Sequence, residues 1–508
     1  MLHIAEQREA KGILKPPIIS FEHRLSRRLF STKHLLLFRR SQVITMKLSL
    51  LFTTILGIAG TVSAVDLDIT NTASIHAAQA LVAQGMMDYY NGNETGQTPG
   101  MFQPPYYWWE SGVAWNALLD YTYYTQNCSS YCSLIESSML FQIGPYWNYL
   151  PPNQSSSEGN DDQGFWGVLA ISAAEQNFTA PGPGNPSWAY LAQAVFNTMA
   201  SRWDTQTCNG GLRWQIYTWN TGYDYKNSVA SGCLFNIAAR LYRYTGGPNG
   251  GNQTFLEWCE RIWNWTTGVQ FVNYTAGSDG SLGQYAIYDG AYIEVNCTQI
   301  HPYEWTYNYG LFMAGAAFLY NATGDQVWYT RLEEIWNRAT VMFIDQVMYE
   351  AACETAYKCN NDQQCFKGIF ARFLGLTMLM APAMEPVIMP YIQASAQAAA
   401  KSCSGGYDGH TCGEQWINGG AYDNHIGLGE QISALGIFTA LLINEMPPPM
   451  TLSTGATSQP NAQAGTNSTS TNEATIPLTI TTKDKAGAGI ITAVVVLLVS
   501  GATFWMLK

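Results

Sequence analysis

The sequence predicts an all-α fold, an (α/α)6 barrel (toroid) of about twelve helices with small hairpin insertions. Three observations carry this prediction. Apolar residues recur at helical spacing almost throughout 66–447. That stretch divides into twelve segments of 12 to 20 residues separated by Gly and Pro. Segments 304–321 and 427–444 are nearly free of charge, as the inner layer of a two-layered ring of helices must be. An irregular helical bundle or a solenoid of helix pairs has the same helix count.

In chain order the expected helices are 74–91, 109–126, 132–143, 162–178, 187–203, 226–245, 253–268, 304–321, 325–344, 362–381, 389–402 and 427–444. Pro104-Pro105, Pro151-Pro152 and Pro181-Gly182-Pro183-Gly184 interrupt the pattern. Thr245-Gly246 and Thr323-Gly324 stop helices at a glycine, which tolerates the left-handed turn there. The endings 239–246 and 317–324 resemble each other, a weak internal repeat. Segments 212–219 and 285–297 lack the helical period and read as short hairpins at a rim.

The ends are of a different character. Residues 1–64 hold 10 Lys+Arg and 3 Asp+Glu, whereas the whole chain of 508 residues holds 25 and 37. Residues 46–64 have a positive start at Lys47, an apolar run and the small-residue site Val62-Ser63-Ala64, the pattern of a secretory signal peptide. Residues 1–45 then read as a leader ahead of a true start at Met46; the other reading is a basic leader on a type II anchor. Between Thr451 and Thr482, 14 of 32 residues are Ser or Thr, so 448–486 reads as a stalk. The apolar tail 487–508 fits a cleaved GPI-attachment signal, with attachment expected between Ser468 and Thr482. The other reading of the tail is an ordinary membrane helix. These features place the protein in the secretory pathway, on the outer face of the plasma membrane and in the cell wall.

Ten Asn-x-Ser/Thr sites agree with that compartment: Asn93, Asn127, Asn153, Asn177, Asn252, Asn264, Asn273, Asn296, Asn321 and Asn467. All 11 cysteines follow Ala64 and should form disulfides, the odd number leaving at least one thiol unpaired or joined to another molecule. No Cys/His set has zinc spacing, so no metal or other cofactor is expected. A net charge of -12 argues against nucleic acid as a partner. Only 12% of residues are charged, while 67 are aromatic, 17 of them Trp, a balance common where proteins bind carbohydrate.

The sharpest local feature is Glu158-Gly159-Asn160-Asp161-Asp162-Gln163, two adjacent carboxylates leading into an apolar helix. Such residues cap helices, because a carboxylate accepts the unpaired N–H groups of the first turn. They also suit glycoside hydrolysis, which uses two carboxyl groups about the scissile bond, about 5–5.5 Å apart when configuration is retained. Neighbours in a strand would point to opposite faces, so only a loop-to-helix junction can bring them together.

With that pair in place, the chain resembles glycoside hydrolase family 76, and within it the fungal Dfg5/Dcw1 group of GPI-anchored proteins. The residues that carry the resemblance are Trp108-Trp109-Glu110-Ser111-Gly112, Asn160-Asp161-Asp162-Gln163, Tyr225-Lys226-Asn227-Ser228, Asp289-Gly290, Glu304-Trp305-Thr306-Tyr307-Asn308-Tyr309-Gly310 and Gly429-Glu430-Gln431-Ile432-Ser433-Ala434-Leu435. The resemblance implies an (α/α)6 barrel over 65–447 and a retaining mannan endo-1,6-α-mannosidase. It makes Asp161 the nucleophile and Asp162 the general acid/base. It implies action on α-1,6-mannose glycans, either mannan or the GPI core, with cell-wall glucan as a possible acceptor. Around that pair, Trp109, Trp166 and Trp305 offer flat faces for sugar stacking or pack the core. Glu110, Asp289, Glu304, Tyr307 and Asn308 are expected to bind mannose hydroxyls. Lys226 and Asn227 are expected on a hydroxyl or phosphate, the alternative being that Lys226 pairs with a carboxylate. A catalytically silent mannan-binding or adhesion protein on the same scaffold is the competing reading.

Overall fold

The computed structural model describes residues 64–466 and scattered positions between 489 and 500. The leader 1–45, the signal-peptide reading of 46–64 apart from Ala64, Asn467, the attachment zone and most of the apolar tail lie outside the described residues.

Twelve helices of 10 to 18 residues form the body. They are α1 Thr72–Met87, α2 Trp108–Thr125, α3 Cys132–Phe141, α4 Asn160–Glu175, α5 Trp188–Ser201, α6 Ser228–Tyr244, α7 Gln253–Gly268, α8 Thr306–Thr323, α9 Gln326–Ala339, α11 Phe366–Met380, α12 Glu385–Ser402 and α13 Leu428–Ala440. A four-residue turn, α10 Asn361–Gln364, precedes α11. Local chemistry sets many starts: the Asn71, Ser187, Asn227, Asn252 and Asp325 side chains each accept an N–H of the turn they open. Gly324 ends α8 at φ 70, where a side chain would be strained.

Alternate helices pack into a closed ring, α2, α4, α6, α8, α11 and α13, with α13 returning to α2. These six are buried on nearly every face, α2 along 15 of its 18 residues, and α8 carries no charged residue at all. Glycines let them approach closely. A methyl at Gly436 would lie 2.7 Å from the Gly368 carbonyl across the α11/α13 contact. The other six helices cover them, α3 on α2, α5 on α4, α7 on α6, α9 on α8, with α1 and α12 on α13. The charge-poor 304–321 and 427–444 are thus inner helices.

The first turns of the inner helices meet at one end of the ring, where Trp109, Phe165, Tyr307 and Phe366 from four of them are in mutual contact. Toward the other end a buried ion network ties the ring. Arg240 pairs with Glu175 at 2.5 Å, Arg372 with Asp120 at 2.6 Å, and both guanidinium groups reach Ser172.

A four-stranded antiparallel sheet borders the mouth: β1 Tyr225–Asn227, β2 Val272–Thr275, β3 Gln284–Tyr292 and β4 Ile300–Glu304, all pairing with β3. The segment 285–297, expected as a hairpin, is a single strand, β3, followed by a short 3-10 turn at Ile293–Val295, and its hairpin partner β4 lies beyond it. The other expected hairpin does not form: 212–219 makes single bridges, Gln215 to Gly159 and Arg213 to Lys226. The segment crosses the mouth between two elements, with Gln215, Ile216 and Tyr217 buried in a row. Two small hairpins complete the chain, β5 Phe343–Ile344 with β6 Val347–Met348, and β7 Cys403–Gly405 with β8 Thr411–Cys412.

Four disulfides form: Cys128–Cys132, Cys208–Cys297, Cys353–Cys359 and Cys403–Cys412. Cys233, Cys259 and Cys365 are buried thiols. Of the nine described glycosylation sites, eight asparagines are exposed and Asn273 is half-buried.

The folded body runs past 447. Residues 448–466, expected as the start of a stalk, lie as a strap on the barrel. Met450 N–H bonds the Glu175 carbonyl at 2.8 Å, Arg243 the Pro449 carbonyl at 2.7 Å, and the Tyr244 hydroxyl the Ser458 carbonyl at 2.7 Å. The strap then climbs α5, where Ala189 N–H reaches Ser458 Oγ and Asn197 Nδ2 reaches the Ala464 carbonyl, both at 2.8 Å. Among the described residues no single helix is long and apolar enough to cross a membrane.

Candidate active site

Residue 159 opens α4 in an extended conformation, φ -102 and ψ 169. The carboxylate of Asp162, third in the helix, accepts the Gly159 N–H at 2.7 Å and so caps the first turn. Asp161 reaches the opposite way: Trp214 Nε1–H donates to its Oδ2 at 2.9 Å, while its buried Oδ1 has no hydrogen-bond partner among the described residues. A methyl on Gly159 would lie 2.4 Å from Asp161 Oδ1 and 2.5 Å from Asp162 Oδ2. Both oxygens therefore crowd one bare Cα and lie no more than about 5 Å apart, near enough to act on one glycosidic bond.

Burial pushes the Asp161 carboxyl up to about 6, against the pull of the helix-start N–H groups, the Asp162 side chain and Trp214.

The junction is held from below. Arg202 Nε donates to Asn160 Oδ1 at 2.8 Å and its Nη2 donates to Gln163. Asn160 in turn bonds the Arg213 carbonyl through Nδ2 and the Trp214 carbonyl through its N–H, both at 2.8 Å. These bonds stitch the 213–214 segment to the start of α4 and bring the Trp214 ring over Asp161.

An aromatic wall faces the pair. Phe165, one turn into α4, lies 5.0 Å from Trp109 and 6.3 Å from Tyr307, and Tyr307 stacks on Phe366 at 3.8 Å. Trp305 meets Phe366 edge-on and donates Nε1–H to Asp289 Oδ1 at 2.9 Å, while the Tyr225 hydroxyl donates to Asp289 Oδ2 at 2.7 Å. Burial raises Asp289, and those two bonds together with His301 offset part of the rise. Glu110 caps α2 by accepting the Tyr107 N–H at 2.6 Å. Its Oε1 is buried and unpartnered, as is Oδ1 of Asn308.

The mouth thus gathers Asp161, Asp162, Trp109, Glu110, Asp289, Trp305, Tyr307 and Asn308. Four of the expected binding residues are engaged in the framework instead. Trp166 is core, stacked between Trp108 and Tyr149. Lys226 donates to the carbonyls of Asp204, Thr207 and Gly210 at 2.6 to 3.0 Å and pairs with Asp204, so its three N–H bonds are filled and the carboxylate alternative holds. Asn227 caps α6. Glu304 is clamped by Arg338 through two bonds of 2.6 and 2.9 Å and by the Tyr309 hydroxyl. Sequence reasoning missed Gly159 as a space-maker, Trp214, Phe165, Phe366 and Tyr225. Tyr225 stood within a quoted motif, and Gly159 and Phe165 flank the acid pair; Trp214 has no local signal. Among the described residues no group of three His, Cys, Asp or Glu is arranged to hold a metal ion.

The profile "Glycosyl hydrolase family 76" matches residues 74–453. Mannan endo-1,6-alpha-mannosidase DCW1 of Saccharomyces cerevisiae is 49% identical over 445 residues, 87% of this chain and 95% of that one. The crystal structure of Dfg5 from Chaetomium thermophilum, solved with glucosamine, superposes with a TM-score of 0.73 at 39% identity, covering 79% of this chain and 98% of that one. The GH76A alpha-1,6-mannanase of Salegentibacter sp. HEL1_6 shares the fold, with a TM-score of 0.56 at 15% identity over 72% of this chain and 98% of that one. A closed ring of inner helices with an acid pair at its mouth and a family match over most of its length lead to one assignment: the chain belongs to glycosyl hydrolase family 76.

Proposed function

We propose that this chain is a retaining glycosidase that cleaves α-1,6-mannosidic bonds, with Asp161 as nucleophile and Asp162 as general acid/base. The observation that carries this reading is the convergence of the two carboxyls over the bare Cα of Gly159. On this reading Asp162, as the general acid, holds the proton and Asp161 is ionised when the substrate binds. Asp161 Oδ1 then attacks the anomeric carbon while Asp162 protonates the departing glycosidic oxygen, leaving a mannosyl ester on Asp161. In the second step Asp162 takes a proton from water or a sugar hydroxyl, whose oxygen displaces Asp161. The aromatic wall of Trp109, Phe165, Tyr307 and Phe366 gives the apolar faces of mannose a surface to lie against.

The activity named for the yeast relative supports α-1,6-mannan chemistry. Exposed glycosylation sites and four disulfides support a secretory route. On this reading the protein sits at the outer face of the plasma membrane through a GPI anchor and in the cell wall. There the ester on Asp161 is passed to cell-wall glucan, joining GPI-linked proteins to the wall. The test is azide rescue with an activated mannoside donor. Asp162→Ala should give a mannosyl azide of retained configuration and Asp161→Gly the inverted product. The opposite pattern would exchange the two roles, and full activity in both variants would remove the mechanism. Incubation of wild type with an α-1,6-mannose glycan and labelled glucan then reads transfer against hydrolysis.

A further inference from the structure

The chain does not leave the barrel where its last long helix ends. Helix α13 starts at the mouth and finishes at the opposite, closed end, where the Tyr123 hydroxyl donates to the Pro447 carbonyl at 3.2 Å. A segment departing there would put the C-terminal attachment zone and the mouth at opposite ends of a ring whose inner helices rise about 20–27 Å. The strap undoes that separation. After Pro447 it turns back along the outside of the ring and runs toward the mouth beside α5.

The return path is held throughout. Thr457 donates its N–H and its hydroxyl to Asn177 Oδ1 at 3.0 and 2.8 Å. Ser458 is buried, its carbonyl accepting the Tyr244 hydroxyl and its Oγ the Ala189 N–H. Ala464 is fully buried, and a methyl on Gly465, at φ 72, would meet the Ala194 Cβ and carbonyl oxygen at 3.1 Å. Small residues at these positions let the strap lie flat on the helix. Thr466 therefore stands beside the third turn of α5, next to Ala194 and Asn197. From Asn197 the helix rises only about 7.5 Å more to Arg202, whose side chain bonds Asn160, the neighbour of Asp161.

Attachment is expected two to sixteen residues beyond Thr466, between Ser468 and Thr482. An extended chain spans at most about 3.3–3.6 Å per residue, so the longer tether allows about 55 Å. The path from Thr466 through Asn197, Arg202 and Asn160 limits the distance to Asp161 to about 35 Å. A group on so short a tether is presented to the mouth at an effective concentration on the order of millimolar.

We propose that the chain processes its own anchor: the α-1,6-mannosidic bond in the glycan attached to its C-terminal segment is an intramolecular substrate of its own acid pair. This rests on the mannosidase and anchor readings and adds the chain itself to the proteins acted on. Asp161 Oδ1 attacks the anomeric carbon on the protein side of the bond. The bond from that carbon to the glycosidic oxygen breaks, and the lipid-side sugar leaves with the proton of Asp162. The ester then joins the chain's C-terminal end to its own Asp161. A glucan hydroxyl displaces the carboxylate and gives its proton to Asp162. Membrane and wall thus hold one protein before and after a single turnover.

The test follows an epitope-tagged full-length chain in cells that attach GPI anchors. Detergent phase partition reads the lipid-linked form, glucanase treatment the wall-linked form, and mass spectrometry the glycan left on the C-terminal peptide. Wild type should lose its lipid and end in a mannose remnant. Tagged Asp161→Ala, expressed beside untagged wild type, should keep at least tenfold more lipid. A second variant leaves the site intact: sixteen EAAAK repeats, about 120 Å of helical spacer, inserted after Thr466. It should keep its lipid to the same degree while its kcat/KM on α-1,6-mannotetraose stays that of wild type. Loss of lipid from either variant to the wild-type extent would mean processing between separate molecules and would overturn the proposal. So would a wild-type chain that keeps its lipid yet cleaves α-1,6-mannotetraose. Failure to cleave α-1,6-mannotetraose would overturn the mannosidase reading, and an Asp161→Ala chain without lipid the anchor reading; the proposal falls with either.

Discussion

Gly159→Ala tests the acid pair without touching either acid. The backbone there is extended, so an alanine is conformationally allowed. The new methyl would meet Asp161 Oδ1 at 2.4 Å, Asp162 Oδ2 at 2.5 Å and the Trp214 carbonyl at 3.0 Å. The first two contacts are with the ends of side chains, which can swing aside, so the fold survives. Restoring ordinary contact moves each carboxyl by about 1 Å, a displacement that costs about 10²-fold in rate when reacting groups are involved. That is about 2.7 kcal/mol in the barrier, against at most ~1 kcal/mol of stability from the weakened cap. The assay is kcat on α-1,6-mannotetraose beside the unfolding temperature. A kcat within about threefold of wild type, in a variant that unfolds normally, would refute the claim that this glycine sets the geometry of the pair.

Trp214→Phe removes a bond that lowers Asp161, so its pKa rises further. The acidic limb of the pH–rate profile, where activity is lost as pH falls through about 6, should move to higher pH. Lys226→Met leaves the carbonyls of Asp204, Thr207 and Gly210 without their donor, while the Asp204 carboxylate keeps its pair with Arg213; a loss of about 1–3 kcal/mol in stability is expected, read by denaturant unfolding, with KM little changed in whatever remains folded. Replacing Cys208 and Cys297, 89 residues apart, should cost about 4–5 kcal/mol by the chain-entropy relation, well above the cost of losing Cys128–Cys132, which spans 4. Burial raises Glu430 to about 8, Glu350 to about 8 and Glu414 to about 7 from an ordinary 4.5. Raised carboxyls stabilise the fold fully below about 4.5, and that contribution is lost as pH rises through about 8. The unfolding temperature should therefore be higher at about pH 5 than at about pH 8.5.

Helical period and glycine punctuation placed all twelve long helices within a few residues, because each inner or outer helix buries a continuous stripe that sequence displays directly. The segment 304–321 is Thr306–Thr323 in the structure, and its near-absence of charge, Glu304 alone, already marked it as inner. The acid pair was legible for a similar reason: a loop-to-helix junction is a local event. What sequence hid was long-range. Lys226 meets carbonyls 16 to 22 residues earlier, and Glu304 meets Arg338 34 residues later. Trp166 stands next to Phe165, yet one step along a helix turns the side chain about 100°, from the barrel axis into the wall. Trp214 reaches Asp161 across 53 residues, from a segment that makes only single bridges and so has no periodic pattern to read. Strands β2 and β4 are short, partly exposed and carry no alternation of their own.

The strap over 448–466 also settles how the barrel would bear load. Tension entering at Thr466 arrives first at the side of α5, through the Asn197 bonds to Ala462 and Ala464. It would peel those contacts one at a time, then the Ser458 contacts, before reaching Arg243 and the Glu175 carbonyl at the closed end. Unzipping spends extension at low force, so the strap behaves as a fuse in series with the ring. The inner helices, and the acid pair on them, would stay at rest until that length of chain had run out.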